Sequence, residues 1–193
     1  MRLFTALKPS ERTLRHLMRM QKGVSGARWS ERDKLHITLA FYDDVSAETA
    51  EALDGQLGDI RQPGFDVFYN SVGHYGKDRP FNLHVWVTLT PELDQLHRAC
   101  LRAARGVGIE IARRDYRPHV TLAYIRGAPR IDRITAWEKN YSGFKSGPDL
   151  MDEFMLYSSW PKERGGNLYR LEASYPLRGA MLPPKEQRIK TVS

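Results

Sequence analysis

The apolar residues of this chain switch between two spacings, and the switches mark out its elements. Residues 1–7, MRLFTAL, make a short run suited to a strand. Behind Ser10, a good helix N-cap, Leu14, Leu17 and Met18 fall at helical spacing within residues 10–21. Residues 27–31 and 34–42 read as extended segments around a charged turn. From Ser46, the positions Ala47, Ala50, Leu53 and Leu57 draw one apolar helical face, and Pro63 and Gly64 end that region. Residues 65–72 and 81–90 alternate as strands, with the Gly- and Pro-containing loop GHYGKDRP between them. Pro91 then opens a helix through residue 105 at its favoured first-turn position. Residues 119–125 form a strand and 132–141 a short helix. Two closing strands, 149–160 and 167–177, flank the charged loop PKERGG.

Several of these strands follow one another with no helix between them. A doubly wound parallel sheet therefore fits poorly, and the pattern predicts an α+β fold of mainly antiparallel strands in two similar halves. One domain over residues 1–178 accounts for all of it, leaving 179–193 as a C-terminal tail.

The halves share a text. KLHITLAFY at 34–42 and RPHVTLAYI at 117–125 both contain His-x-Thr-Leu-Ala with a β-branched residue at x. A strand's side-chain period of two puts His36 and Thr38 on one face and Leu35, Ile37 and Leu39 on the other. His119 and Thr121 share a face in the same way, opposite Val120 and Leu122. The apolar face anchors the strand, and the polar face looks into something wet or liganded. Same-face neighbours lie about 6.6 Å apart along a strand, a gap that admits a phosphate edge. Two such strands surround one phosphorus atom with two imidazoles and two hydroxyls. Histidine serves as acid or base near neutrality, phosphodiester cleavage needs one of each, and threonine donates to oxygens where charge builds. This chemistry calls for no metal and no cofactor. A single His-x-Thr is common in strands that only pack; the second copy is what points to chemistry. Asp43 and Asp44 lie beyond the polar edge of the first strand, and neither motif carries ligands at metal spacing.

Composition narrows the setting. With 41% hydrophobic residues in 193, the chain can bury a real core. The single cysteine, Cys100, excludes an internal disulfide framework. No run reaches membrane-spanning length, and the N-terminus lacks a long apolar segment, so the expectation is a cytoplasmic protein and a monomer with no membrane partner. Net charge is +7, of which the last 14 residues supply only +2, so the body is basic and suits a phosphate-bearing partner. Neither GxGxxG nor GxxxxGK[ST] occurs, which argues against the nucleotide folds built on those loops.

The paired motifs resemble those of the 2H phosphoesterase superfamily, and within it the RNA 2′,3′-cyclic phosphodiesterases, also called 2′-5′ RNA ligases. MRLFTALKPS, ARWSERDKLHITLAFYDDV, SVGHYGKDRPFNLHVWV, YRPHVTLAYI and DEFMLYSSWPKERGGNLYRLEASYPL are similar to successive regions of that family, over about residues 1–178. The resemblance implies two lobes related by a pseudo-two-fold axis, with helices outside and a central cleft. It implies that the partner is RNA or a nucleotide ending in a 2′,3′-cyclic phosphate, opened by water to a 2′-phosphate, with 2′-5′ joining as the reverse reaction. By the same resemblance His119 activates the water, His36 protonates the leaving 3′ oxygen, and Thr38 and Thr121 hold the phosphate. Many members carry an arginine five residues after the second histidine; here that position is Tyr124, and Arg117 and Arg126 stand nearby as substitutes. The alternatives are an RNA-binding protein without turnover, and a phosphodiesterase for ADP-ribose cyclic phosphate or 2′-5′ oligoadenylate.

Tyr116, Arg117, Tyr124 and Arg126 are the candidate substrate contacts around the second motif. Trp29, Tyr75, Tyr116 and Trp160 could stack on a base and Arg28, Lys77 and Arg117 could meet phosphates, although such residues more often cap cores or solvate loops. His74 is expected in a loop, His16 and His97 on helices, and His84 in a structural strand position. Cys100 reads as core.

Overall fold

The computed structural model describes residues 1–112, 114–127, 130–162 and 166–178. The expected tail, 179–193, lies outside the described residues. Among the described residues nine strands form in chain order: β1 (Arg2–Leu7), β2 (Ala27–Trp29), β3 (Ile37–Asp44), β4 (Phe65–Tyr75), β5 (Asn82–Val87), β6 (His119–Ile125), β7 (Lys145–Met151), β8 (Glu153–Pro161) and β9 (Asn167–Pro176). Four α-helices accompany them: α1 (Glu11–Arg19), α2 (Ala47–Gly58), α3 (Pro91–Gly106) and α4 (Ile131–Tyr141). Three have hydroxyl N-caps, Ser10, Ser46 and Thr90, each accepting from the backbone N–H three residues on, and Pro91 opens α3 as expected.

All strand pairs are antiparallel, in the order β7-β4-β5-β6-β3-β1-β8-β9, with β2 pairing the far end of β6. This order is symmetric about the β6–β3 junction: four strands lie on either side, and each His-x-Thr strand is innermost in its lobe. The junction is narrow, a single residue pair, Ile37 with Val120. The expected α+β fold of two similar lobes is present.

The lobes are not the two halves of the chain. One consists of β1 and β3 with the C-terminal β8 and β9; the other consists of β4, β5, β6 and β7. Helix α1 follows β1 in sequence but packs on β7, and α3 follows β5 but packs on β3. Each lobe therefore carries a helix delivered by the other. Helix α1 is pinned by the buried carboxylate of Asp149 in β7, which accepts from the Ser10 N–H at 3.0 Å, the Ser10 hydroxyl at 2.7 Å and the Thr13 hydroxyl at 3.0 Å.

The core lies between helices and sheet. Leu35, Ile37 and Leu39 from the first motif and Val120 and Leu122 from the second are all buried in it, as alternation predicts. Four local expectations change. Thr13 takes the inward place on α1 while Met18 is 37% exposed, and Ala47 of α2 is exposed. Strand β4 continues through Gly73–Tyr75, so His74 is in a strand, its Nδ1 2.7 Å from Glu138 of α4. The expected strand 149–160 is two strands, β7 and β8, broken at Asp152. The first half of β7 contains Gly147 and Pro148, which suppress strand propensity and hid it. Pro148 is tolerated because β7 is an edge strand and because the β4–β7 register shifts beside it, between Val67 and Tyr69, leaving Gly147 and Pro148 out of the pairing.

Replacing Asp149 by Ala strands three buried or half-buried donors at once. We expect a loss of about 3 kcal/mol in urea unfolding, and a loss below about 1 kcal/mol would show that α1 is held by packing alone.

Candidate active site

Each motif strand departs from simple alternation at the same place. On β3, Thr38 pairs with Ala6 and Ala40 with Thr5, so Leu39 is skipped. On β6, Thr121 pairs with His84 and Ala123 with Leu83, so Leu122 is skipped. Both are β-bulges, which add one residue and shift all later side chains to the other face. The consequence is that Phe41 joins His36 and Thr38, and Tyr124 joins His119 and Thr121, on the face away from the core. The bulged carbonyls find partners off the ladder. Leu39 O accepts from His97 Nδ1 of α3 at 2.6 Å. Leu122 O accepts from the Ser30 N–H at 2.8 Å and from Gln21 Nε2 at 3.3 Å.

The Ile37–Val120 pair sets the motifs against each other. Continued along the antiparallel register it places His36 opposite Thr121 and Thr38 opposite His119. In regular geometry this register puts the four residues at the corners of a crossed square with the histidines on its diagonal, roughly 7–8 Å apart at Cα. The histidines lie close enough that a charge on His119 disfavours one on His36.

Both imidazoles are held alike. His36 Nδ1 lies 2.7 Å from the Lys34 carbonyl and His119 Nδ1 lies 2.8 Å from the Arg117 carbonyl, in each case two residues back. A carbonyl only accepts, so Nδ1 carries the hydrogen and the neutral ring presents a bare Nε2. Their surroundings differ. Phe4 and Tyr169 flank His36, at ring separations of 5.0 and 5.6 Å. Tyr75, His84 and Trp86 surround His119 at 5.2, 5.1 and 6.2 Å. Burial pushes the His36 pKa down to about 4, against the opposing pull of the Lys34 carbonyl. Burial also lowers His119, with the Arg117 carbonyl again opposing.

His84 is wholly buried on β5, its Nδ1 3.2 Å from Asn82 Oδ1, which also accepts from the Tyr75 N–H at 3.0 Å. Burial drives its pKa down to about 3. Gly73 faces it across the ladder, and a Cβ there would come within 2.7 Å of Trp86 Nε1 and 3.1 Å of His84 Nε2. Only glycine leaves room for these rings beneath His119.

Beside the square lies a cleft of about 390 Å³, lined by Arg28, Trp29, Lys34, Tyr124, Arg126 and Tyr169, with Ser30, Glu31, Gly166 and Asn167. It touches the square at three points. Tyr169 packs on His36, the Lys34 carbonyl holds His36, and Tyr124 lies beyond the bulge on the same face of β6 as Thr121. Lys34 is paired with Glu31 at 2.6 Å.

The structure thus gathers His36, Thr38, His119, Thr121 and Tyr124, and places Arg126 in the adjoining cleft. Arg117 is exposed; its carbonyl fixes His119 and its charge acts on Tyr75. Tyr116 belongs elsewhere. Its ring stacks flat on His97 at 3.8 Å and its hydroxyl donates to Thr38 O at 3.1 Å, so it supports the first motif strand from behind. A stacking contact to substrate was expected there; the ring face is instead taken up by α3. Phe4, Tyr169 and Trp86 were not singled out from sequence, and His84 was assigned a structural place; the alternation of His84 with Trp86 along β5 was the one available signal. Among the described residues, no three His, Cys, Asp or Glu side chains gather in a group that could hold a metal ion.

Residues 7–86 match the family model described as LigT like Phosphoesterase. The RNA 2′,3′-cyclic phosphodiesterase of Escherichia coli (strain K12) is 34% identical over 130 residues, covering 66% of this chain and 67% of that protein. The protein of the same name from Aeropyrum pernix is 32% identical over 151 residues, covering 75% of this chain and 85% of that one. Among solved structures, E. coli LigT in apo form superposes with a TM-score of 0.70 at 27% identity, over 92% of this chain and 97% of the other. LigT complexed with 3′-AMP does so at 0.69, over 91% and 97%. With the paired His-x-Thr strands in place and these relatives alongside, the chain belongs to the LigT-like phosphoesterases of the 2H phosphoesterase superfamily.

Proposed function

We propose that the protein hydrolyses 2′,3′-cyclic phosphates at RNA ends or on nucleotides to 2′-phosphates, without a metal, and that 2′-5′ joining of RNA ends is the reverse of the same step. The observation that carries this reading is the facing of the two motif strands through the Ile37–Val120 pair, which sets His36 and Thr38 against His119 and Thr121, with both imidazoles held at Nδ1 by a backbone carbonyl so that Nε2 is left for chemistry. The names of the relatives, RNA 2′,3′-cyclic phosphodiesterase, agree with it. The adjoining cleft supplies rings and cations in the mixture a nucleoside and its backbone call for.

In this reaction a water oxygen attacks phosphorus and loses its proton to one histidine. The bond from phosphorus to the 3′ oxygen breaks, and the other histidine protonates that oxygen. Thr38 and Thr121 donate to the two non-bridging oxygens, where charge accumulates. We assign His119 as base and His36 as acid, following the family resemblance. The free-state environments rank the two the other way, since His36 is held neutral down to about pH 4. The bound phosphate carries a negative charge, and its attraction for a proton is strongest where water is most excluded, which is at His36. Substrate therefore brings a proton into the site with it.

Three outcomes test this. Cyclic phosphate turnover in excess EDTA should yield the 2′-phosphate, and His36→Ala and His119→Ala should each lower kcat by about 10²–10⁴-fold; full activity in either variant removes the mechanism. The pH profile has a defined sign. One histidine must be charged and one neutral, and both pKa values in the free protein lie below the usual 6.5. Above that range the doubly neutral form dominates, so kcat/KM should fall about tenfold per pH unit from near pH 6.5 upward, and also fall below about pH 4. A kcat/KM that climbs between pH 6.5 and 8 would contradict the lowered values. For the acid and base assignment, a cyclic substrate with sulfur at the 3′ position needs no leaving-group proton. It should restore His36→Ala and leave His119→Ala inactive, and the opposite pattern reverses the two roles.

A further inference from the structure

Each motif strand runs on past its bulge, and the two positions reached there carry opposite charge. Seven residues after His119 stands Arg126, and seven after His36 stands Asp43. Strand β2 pairs with the far part of β6, Ala27 with Ile125 and Arg28 with Tyr124, and the Arg126 N–H donates to the Gly26 carbonyl at 3.4 Å. Arg28 and Arg126 are therefore diagonal neighbours on the face that carries Tyr124, about 7–8 Å apart at Cα in regular geometry. Both line the cleft, as do Lys34, Tyr169 and one carboxylate, Glu31. Glu31 is bonded to Lys34 at 2.6 Å and also feels the charges of Lys162 and Arg28. The Arg28 guanidinium lies against Gly166, just before β9 of the opposite lobe, where a Cβ would come within 3.0 Å of its Cζ, so this cation reaches across the mouth of the cleft. At the other end of the site Asp44 takes up Arg2 and the terminal amine.

We propose that this basic end of the cleft is a second phosphate site, where Arg126 and Arg28 hold the phosphate on the 5′ side of the nucleoside whose 2′,3′-cyclic phosphate reacts. This rests on the proposed function, in which the cyclic phosphate meets the two motifs and the 3′ oxygen leaves toward His36. That polarity puts the ribose on the His36 side, and the cleft opens there, since Tyr169 packs on His36 and the Lys34 carbonyl holds its Nδ1. A volume of about 390 Å³ is at the small end for ligand pockets, the scale of one nucleoside rather than of a chain. A nucleoside between Tyr124 and Tyr169 sends its 5′ oxygen outward along β6. Two ladder positions cover about 6.6 Å, so Arg126 stands one such step beyond Tyr124, with Arg28 beside it. Arginine meets phosphate oxygens with paired N–H donors, which suits it to fix an anion at the rim. The bond-breaking step uses neither charge. The two arginines therefore bear on which substrate is chosen: one with a phosphate at its 5′ oxygen over a bare nucleoside cyclic phosphate. That phosphate is the diester of an RNA chain or the monoester of a single nucleotide.

The test compares three substrates on purified protein: adenosine 2′,3′-cyclic phosphate, the same molecule with a 5′-phosphate, and the dinucleotide ApA ending in a 2′,3′-cyclic phosphate. The kcat/KM of a substrate with the 5′ phosphate should exceed that of the bare nucleoside by about tenfold or more, the scale of one hydrogen bond to a charged group. A gain with the dinucleotide names an RNA chain as the source of the phosphate, and a gain with the monoester alone names a single nucleotide. In the Arg28→Gln, Arg126→Gln double variant the gain should drop below about threefold, whereas Arg105→Gln, at an exposed position of α3, should keep it. The wild-type gain should also shrink as salt rises. A wild-type ratio near one, or a gain that the double variant keeps, overturns the proposal and leaves the proposed function standing. Should the wild-type protein turn over no cyclic phosphate, the proposed function fails, and the comparison is read as calorimetric affinity for adenosine 2′,5′-bisphosphate against 2′-AMP. There, a preference for the bisphosphate that the double variant loses supports the second site; equal affinity, or a preference the variant keeps, rejects it.

Discussion

A strand can offer one face only every second residue, and the site depends on breaking that rule twice. Without the bulges at Leu39 and Leu122, the fifth residue after each histidine would point into the core. With them, each strand shows three side chains on the face away from the core and keeps its leucines buried. A bulge leaves a carbonyl off the ladder, and a half-buried carbonyl without a donor is costly. His97, Ser30 and Gln21 supply those donors, so residues far from the chemistry hold the motifs in shape. The repeated Thr-Leu-Ala now has a physical reading. Threonine is the last residue before the bulge, leucine is the bulge, and alanine resumes the ladder beneath.

The two lobes share a backbone and differ in what they place around it. Thr121 has the buried imidazole of His84 across the ladder, whereas Thr38 has Ala6 in the equivalent place. His119 sits among a tyrosine, a tryptophan and a second histidine, and His36 among a phenylalanine and a tyrosine. Identical carbonyl contacts at Nδ1 fix both rings in one tautomer. Geometry is thus held constant while the electrostatic setting varies, which is how one repeated strand can yield an acid and a base.

The polar pattern of the motifs was legible because His36, Thr38, His119 and Thr121 precede the bulges, where alternation still holds. Tyr124 was legible only by resemblance, since period two assigns it to the buried face. The walls of the site were illegible for a different reason. Trp86 meets His119, and Gly73 meets His84, through cross-strand register that no single segment encodes. Tyr116 looked like a substrate contact because it adjoins His119 in sequence; in space it belongs with α3 and the opposite strand. Strand β7 escaped notice because Gly147 and Pro148 argue locally against a strand that its edge position tolerates.

The lobes exchange segments, and this bears on how the chain is made. Strand β1 precedes the other strands described, but one of its two neighbours is β8, whose Met155 pairs with Ala6 and whose Ser159 pairs with Arg2. On the ribosome, β4 through β7 can close into a sheet while the opposite lobe still waits for its last two strands. During that interval β1 keeps a bare edge of backbone donors and acceptors beside β3, the kind of edge that invites pairing with another chain. The lobe that carries His36 is therefore completed only once β8 and β9 have been made, and a chain cut short before them has one finished lobe and one with half its strands missing.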